Sequence, residues 1–219
     1  MDSSAIVALI TFFAGVGLTP LMKKWDGFLN SKRHLENLFI EIDDCCSYLE
    51  GVIKSHFEFL HSLSTLTDSE SKLTQKIPVP IVEKYDTQFI NAFYGEVLKL
   101  LNPAQRNTIR TIENSLFVLV DQSEQLINDV QSIDTYNPRV VRNIISKSCY
   151  LYYHLHRMKT EKERYVGSSS LNSFDSMKHV LRAFGYTEDF INEAKPFKTM
   201  LTQEQIDSLS TNNTHCVIG

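Results

Sequence analysis

Two hydrophobic patterns follow each other in the first 66 residues of the chain. Residues 5–22 form an apolar run without a charged residue, and residues 31–66 repeat apolar positions every seven residues. The repeat has three apolar positions per heptad, a broad stripe typical of a helix in a bundle rather than of a thin coiled coil. Its members include Leu35, Leu38, Phe39, Ile42, Cys45, Cys46, Leu49, Val52, Ile53, His56, Phe59, Leu60, Leu63 and Leu66. The stripe predicts a long amphipathic helix over residues 31–66.

Helical periodicity continues through most of the remaining chain. A polar stretch at residues 67–80 ends in two prolines and predicts a loop. The apolar spacings of three and four that follow predict helices over residues 81–101, 103–133, 138–166, 173–184, 187–195 and 202–209. Two of these helices follow the dipeptides Asn102-Pro103 and Asn137-Pro138, which place a capping side chain before a proline suited to the first helical position.

The fold predicted from these patterns is all-α. It has an N-terminal transmembrane helix, a long amphipathic helix and an antiparallel helical bundle. We expect an anchor and juxtamembrane segment at residues 1–30, a cytoplasmic bundle at 31–209 and a flexible tail at 210–219. The 219 residues contain only eight glycines and six prolines, too few for a turn-rich all-β protein.

The apolar run at residues 5–22 predicts a single membrane span. As a helix, its 18 residues would extend roughly 27 Å, near the lower limit for crossing a bilayer. The run is apolar on all faces, whereas a surface helix would show a polar side. A buried core helix is the alternative; a signal peptide fits poorly because no Lys or Arg precedes the run.

The residues after the run predict which side of the membrane the body occupies. Trp25 lies where an interfacial anchor is expected, and the basic residues are Lys23, Lys24, Lys32 and Arg33. The positive-inside rule then places the N-terminus outside and the rest of the chain in the cytoplasm. We expect a single-pass protein of the inner (cytoplasmic) membrane that contacts membrane lipid.

Small residues within the run favour association of several copies. Ala14, Gly15 and Gly17 would let helix backbones approach each other in lipid, and Pro20 removes a backbone donor and can kink or end the helix. The sequence therefore favours a homo-oligomer. The equally open alternative is that Gly and Pro are simply tolerated in a membrane helix and do not indicate association.

The chain lacks the usual signatures of catalysis and metal binding. It has no Gly-rich phosphate loop, no Gly-x-Ser-x-Gly and no His-Glu-x-x-His, and its cysteines form no Cys-x-x-Cys pair. Cys45, Cys46 and His56 lie on the apolar stripe, where core packing is the expected role. We therefore expect no enzyme activity, no cofactor and no metal. The net charge of −4 argues against a protein that coats nucleic acid.

One helical face is a candidate for a nucleotide or RNA contact. Tyr150, Tyr153, His154 and Arg157 have spacings of three, four and seven, so they share a face of the predicted helix 138–166. The basic residues Arg139, Arg142 and Lys147 lie earlier on the same helix. Aromatic rings and guanidinium groups can stack bases and hold phosphates. The alternative is a tyrosine-rich packing face with polar tips at its rim.

In layout, with an anchor at 5–22 and a helical body at 31–209, the chain resembles the small membrane-anchored helical effectors of prokaryotic antiphage defence. Accessory membrane proteins of RNA-targeting CRISPR loci are an example. The resemblance rests on architecture and on no shared motif. The Arg-to-His spacing of four to six residues found in helical ribonucleases of the HEPN class is missing here. The resemblance implies a membrane-depolarising role in immunity.

The functional prediction is an oligomeric membrane protein with a cytoplasmic helical sensing domain that forms a pore or perturbs the membrane. A cytosolic protein, a nucleotide or RNA would be the trigger. One alternative is a membrane-tethered adaptor that recruits a cytosolic partner. Another is a nucleotide-sensing membrane module.

Overall fold

The computed structural model describes residues 3–67, 78–131, 138–167 and 173–193, which contain helices and no strand. The helices are α1 (Ser3–Thr67), α2 (Gln88–Val97), α3 (Pro103–Gln131), α4 (Pro138–Glu161), α5 (Ser173–Ala183) and α6 (Glu188–Glu193), and a 3-10 turn at Lys162–Arg164 follows α4. These elements confirm the all-α prediction. The predicted helix at 202–209 and the tail at 210–219 lie outside the described residues.

Helix α4 is central to the bundle. It packs against α1, α3 and α5, while α2 packs against α1. Near the end of α4, Lys159 forms an ion pair with Asp43 of α1. Two turns earlier on α4, Tyr152 packs against the ring of Phe184, which the ammonium of Lys54, three turns beyond Asp43 on α1, also contacts. The two helices therefore run antiparallel.

Helix α1 is unbroken from Ser3 to Thr67, so Pro20 does not end the helix. A proline inside a helix removes one backbone hydrogen bond, which need not terminate it. Directly before the proline, the Thr19 hydroxyl donates to the carbonyl of Gly15 at 2.6 Å. At 1.5 Å per residue, the 65-residue helix is roughly 98 Å long. The segments 5–22 and 31–66, which the sequence patterns separate, thus belong to one continuous helix.

Among the residues that the structure describes, no helix has a stretch that is both long and apolar enough to cross a bilayer. Within the apolar run, the side chains up to residue 10 and at positions 13, 14, 16 and 17 lie outside the described part. The transmembrane span stays a prediction.

The segment before α2 is not helical, which corrects the predicted helix at 81–101. Residues 78–87, called the strap below, lie against α1 and α3 without helical structure. The Val82 N–H donates to Ser123 Oγ of α3 at 2.9 Å, and the Tyr48 hydroxyl of α1 donates to the Glu83 carbonyl at 2.5 Å. Because these side chains satisfy backbone groups of the strap, it needs no helical hydrogen bonds there.

The later start of α2 also changes its buried face. Ile90 and Val97 are buried, whereas Phe89 and the later Leu100 are exposed, Phe89 by 56%. Asp86 Oδ1 accepts a hydrogen bond from the Gln88 N–H at 2.9 Å, which supports the beginning of the helix at this point. Residues 81–101 therefore contain two different structures, part of the strap and a short helix, although their apolar periodicity predicted one helix.

A reciprocal cap starts α3 where the sequence predicted. Asn102 Oδ1 accepts from the Gln105 N–H at 2.9 Å, and Gln105 Oε1 accepts from the Asn102 N–H at 2.8 Å. This arrangement is a capping box with an amide at each end. The same side chains hold the loop after α4, since Gln105 Nε2 donates to the Lys162 carbonyl at 2.9 Å and Asn102 Nδ2 donates to the Tyr165 carbonyl at 2.9 Å.

Helix α4 ends at Glu161, five residues before its predicted end. Lys162 and Gly167 both adopt positive φ angles, of 49° and 71°, which a continuing helix excludes. A Cβ at Gly167 would lie 2.9 Å from Cβ of Ala104, so the loop approaches α3 too closely for a side chain. The end of α4 is therefore set by the packing of this loop on α3.

The predicted stripe of α1 forms the core. Leu38, Ile42, Cys45, Cys46, Leu49, Val52, Ile53, His56, Phe59 and Leu60 are all buried. The predicted inward residues of α3 and α4 are buried as well, and they include Ile112, Leu116, Leu119, Leu126, Val141, Ile145, Leu155 and Met158. Leu63 and Leu66 belong to the part of α1 whose side chains are not described. A hydrophobic seam between α1 and α4 thus organises the bundle.

Two isoleucines on opposite faces of α1 test this seam. Ile42 is fully buried and Ile40 is 58% exposed. We expect Ile42→Ala to lower the free energy of unfolding by about 2–5 kcal/mol, because it leaves a cavity in the core. Ile40→Ala should change that free energy by less than about 0.5 kcal/mol. Chemical denaturation followed by circular dichroism measures both values, and equal losses would contradict this account of the core.

Candidate functional site

The predicted oligomer and anchor residues lie on the part of α1 that precedes the bundle. Gly15 has open space where a Cβ would be, Pro20 is exposed, and Trp25 is 65% exposed. The surroundings of Ala14 and Gly17 lie outside the described part of the structure. All residues from 18 to 30 are exposed, so this segment of α1 is not buried in the part of the bundle that the structure describes.

The four juxtamembrane cations are exposed on the same segment. Lys23, Lys24, Lys32 and Arg33 all face solvent, and the Lys32 ammonium lies 4.8 Å from the centre of the Phe28 ring. A cation beside an aromatic face gains a modest electrostatic attraction at an exposed site. This part of α1 can offer apolar and cationic groups together to an anionic surface.

The predicted aromatic and basic face of α4 is divided in the structure. His154 is buried with 7% exposure, Tyr153 is half-buried against the ring of His179, and only Tyr150 keeps a large exposed area, 45%. The Arg157 guanidinium donates to both carboxylate oxygens of Glu161, at 2.6 and 2.9 Å. Three of the four side chains are thus engaged within the bundle, and Tyr150 is the one turned outward.

The inner part of that face is a hydrogen-bond network around Tyr165. The Tyr165 hydroxyl lies 3.1 Å from Nδ1 of His154 and 2.9 Å from Oγ1 of Thr108 on α3. The Arg157 guanidinium lies 5.7 Å from the centre of the Tyr165 ring. Burial, and secondarily the charge of Arg157, lower the pKa of His154, while burial raises the pKa of Tyr165. The network keeps its groups neutral and fixes the loop after α4 on α3.

Of the three earlier basic residues, Arg139 is exposed and Arg142 is half-buried at the start of α4, and both have contacts within the chain. Neither lines the depression described next.

A partly open depression lies between α3 and α4 and is called the α3–α4 groove below. It has a volume of about 480 Å³. Its lining residues are Asn114, Ser115 and Val118 of α3, Asn143, Ser146, Lys147, Tyr150 and Leu151 of α4, and Ser173 of α5. The sequence patterns identified Tyr150 and noted Lys147 as a basic residue, but they gave no sign that α3 would supply two polar side chains beside them. The polar side chains of α3 lie beside Lys147 and Tyr150 because α3 and α4 pack antiparallel.

The three described cysteines are buried core thiols. Burial raises the pKa of Cys45 and Cys149 far above the ordinary value and raises the pKa of Cys46 to about 12. Metal binding and nucleophilic attack both need the thiolate, which burial disfavours. Across the described residues, no group of three His, Cys, Asp or Glu side chains is placed to hold a metal ion.

No protein-family model, curated protein or solved structure matches this chain.

Buried His56 makes the stability of the fold depend on pH. Nδ1 lies 2.8 Å from the Val52 carbonyl and must donate to it, while Nε2 is buried without a partner in the described structure. Burial lowers the pKa of His56 to about 4, from an ordinary value near 6.5. The unfolded chain therefore takes up a proton below about pH 6.5 that the folded chain resists, and stability falls as the pH falls from about 6.5 towards 4.

We expect His56 to lower the free energy of unfolding by about 2 kcal/mol between pH 7 and pH 5. Chemical denaturation at the two pH values measures this loss. His56→Leu should remove most of the difference, whereas His156→Leu, a matched change at an exposed histidine, should retain it. An equal pH dependence in wild type and His56→Leu would refute the assignment.

Proposed function

We propose that this chain is a non-enzymatic membrane protein that is anchored by the beginning of α1 and assembles into oligomers. The helical bundle is its sensing domain on the cytoplasmic side of the inner membrane. In the triggered state, the assembly forms a pore or perturbs the bilayer. The layout it shares with small antiphage effectors extends the proposal to a role in prokaryotic defence.

The observation that carries the proposal is an apolar surface on the part of α1 outside the bundle. Its large exposed hydrophobic side chains are Phe12, Leu18, Leu21, Met22, Trp25, Phe28 and Leu29. An exposed apolar surface of this extent is costly in water and marks a site of contact with lipid or protein. In the sequence, it continues the uncharged run at residues 5–22.

The order of side chains along α1 supports a membrane contact in particular. The uncharged run comes first, exposed Trp25 follows, and the cations Lys23, Lys24 and Lys32 surround it. Tryptophan and lysine are suited to the boundary between hydrocarbon and water, where an apolar body and a polar tip are both satisfied. Within the run, the Thr19 hydroxyl already donates to the Gly15 carbonyl, so this polar group would enter lipid with its donor satisfied.

Pore formation requires several copies, because one helix cannot enclose a channel. Gly15 leaves open space on the helix surface where another backbone can approach. The rod-like α1 also supports assembly, since copies aligned by the membrane would lie parallel over many turns.

A membrane-tethered adaptor is the second candidate. The bundle itself exposes large apolar side chains, among them Phe117 by 69% and Ile81 by 63%, which could receive a cytosolic protein. An adaptor needs the anchor but no conductance.

A charge placed in the apolar run tests the anchor. We expect Phe12→Arg to move full-length protein from the membrane pellet to the aqueous fraction, because a central arginine costs about 2.5–3.5 kcal/mol on insertion. Ile40→Arg introduces the same charge at an equally exposed position of α1 within the bundle and should stay in the pellet. Sedimentation after lysis, followed by immunoblotting, gives the distribution. Wild-type protein in the aqueous fraction would overturn the proposal.

The mass in mild detergent and dye release from proteoliposomes separate the two candidates. A multimer that releases dye supports the pore. A strict monomer without dye release contradicts the pore and leaves the adaptor.

A further inference from the structure

We infer that the α3–α4 groove binds a nucleoside monophosphate, either as a free ligand or as one unit of a single-stranded RNA. This site is independent of the anchor on α1, and none of its lining residues belongs to that helix.

The first argument is unused hydrogen-bonding capacity. Besides Tyr150, six polar side chains line the groove: Asn114, Ser115, Asn143, Ser146, Lys147 and Ser173. None of them has a side-chain hydrogen bond or an ion pair to another residue of the described structure, although Ser146 is only 7% exposed and Asn143 is half-buried. A nearly buried hydroxyl such as that of Ser146 is normally partnered. Its place on the same lining as the exposed polar groups of Asn114 and Lys147 indicates a polar ligand.

The second argument is the shape of the remaining lining. Val118 and Leu151 give the groove apolar surface, and Tyr150 is exposed over 45% of its area at the rim. The rings of Tyr150 and His154 meet edge to face, with 4.5 Å between their centres, so the tyrosine ring is supported from within the bundle. A supported, half-exposed tyrosine offers a face on which a base can stack.

The third argument is charge. From Pro138 to Thr160, α4 contains five cations and no acidic residue, in a chain whose net charge is −4. Of these cations, Arg157 and Lys159 are neutralised by Glu161 and Asp43, and Lys147 is left as the cation that lines the groove. A lysine ammonium is a common partner for phosphate, and one lysine suits a ligand with one phosphate group.

Together these features select a mononucleotide. The volume of about 480 Å³ lies within the range of ligand pockets, roughly 300–1,000 Å³. Tyr150 would stack the base, Lys147 would pair with the phosphate, and the amides of Asn114 and Asn143 would meet the edge of the base or the ribose hydroxyls. The serines add hydroxyl groups near the floor.

Isothermal titration calorimetry on the full-length protein tests the site, with AMP, GMP, CMP and UMP each up to about 1 mM. We expect saturable binding of at least one of them. Lys147→Glu and Tyr150→Ala should each weaken this binding about tenfold or more, through loss of the charge pair and of stacking. Both positions are exposed, and thermal denaturation checks that the variants fold.

Two variants serve as matched controls. Lys99→Glu reverses an exposed charge and Phe89→Ala removes an exposed aromatic ring, both outside the groove. They should leave the affinity unchanged. Equal weakening by the control variants would overturn the site.

The choice of competitor tests the ligand class. If inorganic phosphate displaces the bound nucleotide as effectively as free nucleotide does, the groove binds simple anions and the nucleotide assignment is overturned. The absence of saturable binding would overturn it as well. Tighter binding of a short single-stranded RNA than of the free monophosphate would retain the assignment and identify RNA as the source. Because calorimetry needs no bilayer, these results do not depend on whether the protein anchors or conducts.

Discussion

The structure depends on burial of the α1 stripe against α4. This seam joins the longest helix to the helix that also contacts α3 and α5, so the rest of the bundle is positioned through it. Ile42, Leu49 and Ile53 are fully removed from water there, each a favourable transfer of roughly 1.5–3 kcal/mol. The stripe stops short of the first thirty residues, which explains why α1 leaves the bundle as a bare helix.

Helix α1 joins two different parts of the molecule. Its beginning carries exposed apolar and cationic side chains, and its second half belongs to the rigid core. A helix is stiff over this length, so an event that reorients the bundle would be transmitted to the beginning of α1 without an intervening joint. The α3–α4 groove lies on the other side of α4 from this seam, formed by α3, α4 and the start of α5.

The candidate site shows what helical periodicity can and cannot predict about a binding face. Helical spacing correctly places Tyr150, Tyr153, His154 and Arg157 near each other, because positions three and four apart share a face in any helix. It cannot tell which of them a neighbouring helix covers. Tyr165, from the loop after α4, and Glu161 engage His154 and Arg157. The polar residues of α3 that complete the groove are distant in sequence and meet α4 only through antiparallel packing.

The sequence by itself determined the all-α class, the stripe of α1, the start of α3 at its Asn102 cap and the end of α5 before Gly185, which adopts a φ of 85°. Each of these follows from local spacing or from backbone preferences of single residues. Tertiary structure alone decided that residues 78–87 form a strap and that α4 stops at Glu161. In both places, contacts from other elements replace helical hydrogen bonds, as Ser123 and Tyr48 do for the strap. Local propensity cannot anticipate a partner forty residues away.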